Sequence, residues 1–261
     1  MEISKCFVVF LSCINAIHDG KLIIPESSRD KEFHFQNWCQ HRIDESGLLY
    51  DIGGRNTYPD FKLVEFAEGY EIKGLAYPGR ERDFDANSNL PTGFYNGRQV
   101  FYIFGRYPIN THDYHTKNKI AYPVIDLVIC HGDFMSANHE YVHENKHICG
   151  FGTYGDIMIR DRKMYVVPTP FALADGITGL ATLIVPDNYI APSDFVCVGT
   201  LVRKESDKMV VGYNFNLSNN LLATTQIENP NAGQNHTFKA YRHRSQTNKP
   251  VMMFNQYRNE V

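Results

Sequence analysis

The sequence lacks most of the features that would assign it to a specialised structural class. It has one tryptophan, Trp38, and it has no block of like charges, no fixed-period repeat and no Ser/Gly/Pro-rich linker. Its 26 basic and 29 acidic side chains leave a formal charge of −3, which excludes a strongly basic, histone-like binder. A hydrophobic content of 43% excludes a disordered chain or a collagen-like fibre. We therefore expect one folded domain with a substantial core.

Long apolar runs are also lacking. The N-terminal run at residues 6–14 is too short for a membrane helix, which needs about 20 apolar residues. Lys5 precedes this run and the small residue Ala16 follows it, a pattern typical of a secretory signal peptide. The sequence thus predicts a signal peptide at residues 1–16 and a secreted single domain at residues 17–261, with no membrane segment. The alternative for the first residues is a buried N-terminal strand.

Cysteine is scarce after the predicted cleavage site. Four cysteines remain there, and in an exported chain they permit two disulfides with three alternative pairings. They are Cys39, Cys130, Cys149 and Cys197. Two N-glycosylation triplets, at Asn216 and Asn235, agree with export and predict a glycoprotein.

Short β-branched and aromatic runs, bounded by turn residues, predict a β-rich chain. The predicted strands lie at residues 99–104, 125–130, 163–167, 181–185, 194–202 and 209–211. Residues 115–122 and 133–146 are the best helix candidates, whereas the Asn-rich stretch 214–235 favours loop. The expected fold class is α+β, with a central antiparallel sheet flanked by short helices.

One metal-binding pattern lies inside the second helix candidate. His139, Glu140 and His143 have a spacing that, on a helix, places two His on one face to bind Zn²⁺ while the Glu activates the metal-bound water. This pattern predicts a zinc-dependent hydrolase or protease. A solvated polar segment is the alternative, since five residues make a weak signal in a chain with 11 His.

Several segments are together similar to a second class of hydrolase. Ile-Ala-Pro-Ser-Asp-Phe-Val-Cys-Val at residues 190–198 resembles the Ile-Pro-Ser strand of the DNA/RNA non-specific endonucleases. These are the ββα-metal nucleases, which include extracellular double-stranded RNases. Residues 148–157 resemble that family's Thr-Gly strand, residues 118–126 its Asn-x-Gly-x-Trp helix and residues 209–214 its apolar strand ending in Asn. The segments occur in the family's order.

The resemblance implies a ββα-metal nuclease-like fold and a single Mg²⁺ or Mn²⁺ ion. One Asn and waters hold the ion in that family, and the resemblance places Asn110 and Asp126 at the metal. The family's general base is a His in an Asp-Arg-Gly-His motif, but no His lies between His41 and His112. Two stretches, residues 85–91 and residues 73–78, are alternative remnants of that motif, and Asp85 in the first is the implied catalytic residue. The resemblance therefore implies a catalytically impaired or inactive endonuclease.

Basic residues in the same region suit a nucleic-acid partner. Arg80, Arg82 and Arg106 are candidates for contacts with the phosphates of RNA or DNA, which carry no sequence information and would be bound non-specifically. A solvated charged face is the alternative for these arginines. Three functions stay open: an impaired nuclease that retains nucleic-acid and metal binding, a zinc hydrolase, and a non-enzymatic extracellular binding protein.

Overall fold

A computed structural model gives the fold of most of the chain. It describes residues 3–24, 34–54, 57–79, 82–86, 89–108, 115–116, 119–137, 142–143, 148–149, 152–161 and 164–247. The helices are α1 (Cys6–His18), α2 (His34–Glu45), α3 (Gly132–Met135), α4 (Pro170–Leu173) and α5 (Arg244–Thr247). The strands are β1 (Tyr50–Ile52), β2 (Phe61–Leu63), β3 (Glu68–Tyr77), β4 (Asp83–Ala86), β5 (Phe94–Tyr95), β6 (Arg98–Pro108), β7 (His115–Thr116), β8 (Lys119–Ile120), β9 (Asp126–His131), β10 (Val142–His143), β11 (Ile148–Cys149), β12 (Met158–Asp161), β13 (Met164–Pro168), β14 (Thr182–Pro186), β15 (Phe195–Lys204), β16 (Lys208–Asn216), β17 (Leu221–Glu228) and β18 (Asn235–His243). Among these residues no helix has both the length and the apolar character needed to cross a membrane.

One large mixed sheet organises the fold. Its strand order is β1-β2-β3-β6-β9-β14-β18-β15, with β5 paired to β6 outside this path. The β3–β6 and β9–β14 pairs are parallel, so the prediction of an antiparallel sheet is wrong at these two pairings. Parallel neighbours require crossover connections, which residues 78–97 and 132–181 provide. The protein is therefore a mixed α and β structure with a large mixed sheet and few short helices.

Helices α1 and α2 cover one face of the sheet. In α1 the side chains of Phe7, Phe10 and Ile14 recur at helical spacing and are buried. Phe7 packs edge-on against Phe195 of β15, with ring centroids 5.0 Å apart. Both helices share one core with alternate residues of β2, β3, β6 and β9. The alternative of a buried N-terminal strand is wrong, because this segment forms a helix that buries one face.

Smaller elements cover the opposite face. The sheet β12-β13-β4 and the hairpin β16–β17 pack there together with α3 and α4. The side chains of β6 and β9 that point to this side, such as Phe104 and Val128, are fully buried. Because the crossover from β9 to β14 passes over this face, α4 lies against β9 and beside the end of β6.

All six strands predicted from the sequence are confirmed, as β6, β9, β13, β14, β15 and β16. Both helix predictions are wrong, since residues 115–122 contain β7 and β8, α3 ends at Met135 and Val142–His143 form β10. The predicted loop at 214–235 contains β17, which pairs with β16. Nearly every β17 residue is exposed, so this strand lacks the alternation of apolar and polar residues that identifies a half-buried strand.

The predicted disulfides are wrong. The five cysteines whose side chains the structure describes are all free. Cys39 lies in α2 in the core on one face of the sheet, Cys130 lies in β9 in the core on the other face, and Cys197 is exposed on β15. A disulfide requires the two Cα atoms to lie within about 7 Å, and these three residues occupy separate parts of the molecule.

Candidate functional site

Three residues predicted to bind ligands line one cavity. Arg82, Arg106 and Asp126 come from separate segments of the chain and surround a space of about 330 Å³. Phe171 of α4 and the loop that follows α4 complete its wall. The cavity lies where β6 ends and β9 begins. The fold thus brings together side chains that the sequence analysis had assigned to two different roles, phosphate contact and metal binding.

The floor of the cavity is an ion pair between neighbouring strands. Arg106 of β6 and Asp126 of β9 are directly opposite in the antiparallel register, so their side chains lie on the same face of the sheet. Arg106 Nη1 is 3.6 Å from Asp126 Oδ2. Asp126 Oδ1 accepts a hydrogen bond of 3.0 Å from the N–H of Leu127. Only 14% of the Arg106 side chain and 4% of the Asp126 side chain are exposed, so solvent screens this pair weakly.

Phe171 covers one side of the Arg106 guanidinium. The guanidinium carbon lies 3.8 Å from the centroid of the Phe171 ring. Such stacking is favourable and fixes the plane of the guanidinium. The N–H groups along the edge of that plane are then the groups through which Arg106 can bind an anion.

Arg82 provides a second cation at the rim. It directly precedes β4, and its carbonyl oxygen accepts a 2.8 Å hydrogen bond from the N–H of Thr169, the residue before α4. This bond fixes the Arg82 backbone relative to Phe171. The Arg82 side chain is exposed and forms no ion pair within the part of the chain that the structure describes. It is therefore available to a ligand that enters from solvent.

The loop at residues 174–180 forms another wall. Gly176 has a φ of +83°, a left-handed conformation that glycine adopts without strain. Thr178 Oγ1 donates a hydrogen bond to the carbonyl oxygen of Ala174 and helps to close the turn. At Gly176 and Gly179 no atom lies within 4 Å of the position that a Cβ would occupy. The loop therefore leaves open space beside its backbone.

Arg242 of β18 connects this loop to the floor. Its Nη2 donates a hydrogen bond to the carbonyl oxygen of Ile177. Burial lowers the pKa of Arg242, and the negative charge of Asp126 partly opposes this shift. Asp126 thus interacts electrostatically with two guanidinium groups, that of Arg106 inside the cavity and that of Arg242.

The guanidinium groups and the open loop suit an oxyanion, whereas the carboxylates of Asp126 and Asp175 in the lining oppose one. Guanidinium groups bind phosphate and carboxylate through paired N–H donors, and an open glycine-containing turn allows a ligand to approach the backbone. Comparison with protein-family models and with curated proteins finds no match to the chain. The chemistry of the cavity is therefore inferred from its own geometry.

The described part of this site shows no geometry that favours a divalent metal. Asn110 lies outside the described residues. Asp126 directs one oxygen to the Leu127 N–H and the other toward the Arg106 guanidinium, so a cation bound there would lie next to a fixed positive charge. Within the described residues, no group of three or more His, Cys, Asp or Glu side chains could hold a metal ion. The expected Mg²⁺ or Mn²⁺ site at Asp126 therefore has no support in this geometry.

The other residues implied by the nuclease resemblance are separate from the cavity or not described. Asp85 lies in β4, where it pairs with Val166 of β13, and it does not line the cavity. Arg80 lies outside the described residues. The implied catalytic Asp and the arginine-lined cavity are thus not one site.

The zinc interpretation depends on a helix that the described residues do not contain. His143 lies in β10, which pairs antiparallel with β11. Since successive residues of a strand point to opposite faces, the helical spacing that would bring His139 and His143 together does not apply at His143. His139 and Glu140 lie outside the described residues.

A second group of polar side chains has the order of a catalytic triad but is a helix cap. His243 Nδ1 is 2.8 Å from Ser245 Oγ, and His243 Nε2 is 3.0 Å from Asp194 Oδ2. Ser245 N–H also donates to His243 Nδ1, while Gln246 Oε1 accepts from the N–H of His243. These reciprocal bonds are those of a capping box at the start of α5, and they account for the arrangement without catalysis.

Sequence reasoning missed the part of the cavity formed by α4 and the loop after it. There Phe171 contributes a stacking ring and Thr178 a turn hydroxyl. The one usable signal was the Asp175-Gly176 pair followed by Gly179, directly before an apolar strand, because Asp-Gly marks a turn. Nothing local indicates that this turn lies beside Arg106, since a long crossover places it there.

Proposed function

We propose that the chain binds the phosphate groups of nucleic acid in the cavity between Arg82 and Arg106, without sequence preference and without cleaving the strand. The observation that carries this proposal is the convergence of Arg82, Arg106 and the open loop at residues 174–180 on one cavity. A diverged ββα-metal nuclease scaffold would explain the ligand class. The resemblance to the nucleases suggests nucleic acid as the ligand, but phosphodiester hydrolysis is not proposed.

The geometry favours a phosphate over a base as the group that enters. Arg106 is fixed by Phe171 and presents N–H donors from a partly buried position, where charge-assisted hydrogen bonds are stronger than in water. Arg82 at the rim can hold a second phosphate oxygen or an adjacent phosphate. Contacts of this kind fix a strand by its backbone and read no base edges, so different sequences should bind alike.

The proposal does not include hydrolysis, because the histidine base of the nuclease family has no counterpart among the described residues that line the cavity. The carboxylates that line it are those of Asp126 and Asp175. Asp126 is engaged with the Leu127 N–H and with two guanidinium groups. A zinc-dependent reaction is not favoured either, since His143 lies in a strand.

Binding of labelled RNA and DNA oligonucleotides, followed by fluorescence anisotropy over a series of salt concentrations, tests this proposal. We expect two unrelated sequences to bind with similar affinity and to dissociate as salt is raised. Arg82→Gln should weaken binding about 10-fold and lower the slope of log K against log salt by about one, the loss of one phosphate contact. Arg106→Lys keeps the charge but loses the paired donors, and it should also weaken binding.

Lys208→Gln is the matched control, because it removes one exposed positive charge on β16, and Lys208 does not line the cavity. Its affinity should equal that of the wild type. Equal affinity of all four proteins would contradict the proposal. A parallel incubation with plasmid and double-stranded RNA in Mg²⁺ or Mn²⁺ tests the absence of cleavage, and strand breaks that persist in extensively purified protein would restore the nuclease hypothesis.

A further inference from the structure

The role of Asp126 is the strongest inference that the cavity carries beyond its ligand class. A carboxylate at the floor of an anion-binding cavity is unexpected, because it repels the ligand. Asp126 nevertheless lies opposite Arg106 and is almost fully buried. The register of β6 and β9 and the hydrogen bond from the Leu127 N–H hold its carboxylate at the floor of the cavity.

The contact between the two charges is loose. At 3.6 Å, the distance from Arg106 Nη1 to Asp126 Oδ2 exceeds the 2.7–2.9 Å that is typical of a strong charge-assisted hydrogen bond. Asp126 therefore neutralises part of the Arg106 charge without occupying its donors in ideal geometry. It also interacts with Arg242, whose own Nη2 is engaged with Ile177.

We infer that Asp126 is an internal anion that competes with the ligand for Arg106 and so limits the affinity of the cavity, and that it is not a metal ligand. This inference rests on the proposed function. In the empty cavity Asp126 balances part of the Arg106 charge, and buried charges are costly unless they are compensated. When a phosphate binds Arg106, the phosphate and the Asp126 carboxylate repel each other.

Neutralising Asp126 should change the affinity for nucleic acid in opposite directions, depending on whether Asp126 competes with the ligand or binds a metal. Asp126→Asn keeps an acceptor for the Leu127 N–H and removes the charge. If Asp126 competes with the ligand, the variant should bind a labelled single-stranded DNA oligonucleotide at least about 10-fold more tightly, the lower end of the effect of close charge pairs. If Asp126 holds a metal, the variant should bind more weakly, and the wild type should lose affinity in EDTA and regain it with Mn²⁺.

The matched control is Asp19→Asn, which removes one exposed carboxylate after α1, on the other face of the sheet. It should leave the affinity within about twofold, since solvent and salt screen a charge that is exposed on the other face of the sheet. Because two guanidinium groups lose their counterion in Asp126→Asn, Asp126→Ser is made in parallel as a second neutral variant. Thermal unfolding identifies which variants are folded.

The outcomes separate this inference from the proposal on which it rests. Tighter binding by a folded neutral variant supports competition. Unchanged or weaker binding by a folded neutral variant, with clear binding by the wild type, overturns the inference and leaves the proposed function intact. Absence of binding by the wild type and by every folded variant overturns the proposed function itself.

Discussion

Among single residues, the burial of the Asp60 carboxyl group has the clearest consequence for how stability depends on pH. It accepts a 2.8 Å hydrogen bond from the N–H of Ile72. Burial, followed by the negative charge of Glu71, raises the pKa of Asp60 to about 6. The folded state then binds this proton more tightly than the unfolded state, so stability falls as the pH rises from about 4 to above 6.

Asp60→Asn should remove this loss. The amide oxygen can still accept from the Ile72 N–H, and no charge is buried beside Glu71. We expect the variant to be more stable than the wild type by about 1–2 kcal/mol at pH 8 and to gain little at pH 4. Urea unfolding at several pH values measures this difference. Asp51→Asn, at an exposed position on β1, is the control, and an equal gain there would contradict the assignment to Asp60.

His131 should produce the opposite dependence on pH. It is buried, its Nε2 lies 2.6 Å from Gln99 Oε1, and its Nδ1 accepts from the N–H of Asp133. Burial lowers the pKa of His131, more than the nearby Asp133 carboxylate raises it. The unfolded chain therefore binds the proton more tightly, and stability falls as the pH drops through about 6.5, the value of an unperturbed histidine.

His131→Asn tests this dependence. Asn can still cap the start of α3, so the variant should fold, but it loses the bond to Gln99 and about 1 kcal/mol at pH 7.5. The free energy of unfolding of the variant should then decrease less between pH 7 and pH 5 than that of the wild type. His41→Asn, at a side chain that is 70% exposed, should keep the wild-type slope. A variant slope equal to that of the wild type would mean that another group causes the loss.

At the scale of elements, α2 packs on the sheet through a slot made of two glycines. Gly74 of β3 and Gly105 of β6 are register partners, and the ring of Phe35 lies over both. A Cβ on Gly105 would come within 2.1 Å of Phe35 Cζ, so no side chain fits there. Glycine inside a strand often marks such a close approach.

Gly105→Ala should therefore destabilise the protein by about 1–3 kcal/mol, the cost of overpacking a core. Combining it with Phe35→Leu, which shortens the side chain, should cost less than the sum of the two single changes. Chemical denaturation of the four proteins in this cycle measures the coupling. Gly54→Ala, where no atom lies near the added Cβ, is the control. Strictly additive costs would show that the ring does not occupy the slot.

The elements also show how far the sequence could predict this fold. The buried strands β6, β9 and β14 were identified because continuous β-branched and aromatic runs have a local cause. Whether neighbouring strands pair in parallel or antiparallel could not be predicted in the same way, since it depends on the crossover connections. The same applies to the site. Arg82, Arg106 and Asp126 were selected by residue type and by resemblance, but their convergence depends on the β6–β9 register and on α4.

At the scale of the whole molecule, α1 is a structural part of the core. Cys6, Val9, Phe10 and Cys13 are not exposed at all, and α1 supplies the cover for Phe195 of β15. Secretion with cleavage after Ala16 stays a prediction from the sequence. A chain cleaved there would have to cover this part of the sheet in another way, because apolar surface of this size is costly to expose.

Removal of residues 1–16 tests which role these residues have. If α1 is a core element, the shortened chain should lose cooperative unfolding and bind hydrophobic dyes, since one side of the core is opened. In the full-length chain, Phe10→Ala should cost about 3–5 kcal/mol, whereas Val8→Ala, at a residue 41% exposed on the same helix, should cost far less. Circular dichroism and chemical denaturation measure both effects. A shortened chain that unfolds cooperatively with wild-type stability would instead favour the cleaved signal peptide, and the sheet face under α1 would then have to be stable without its helix.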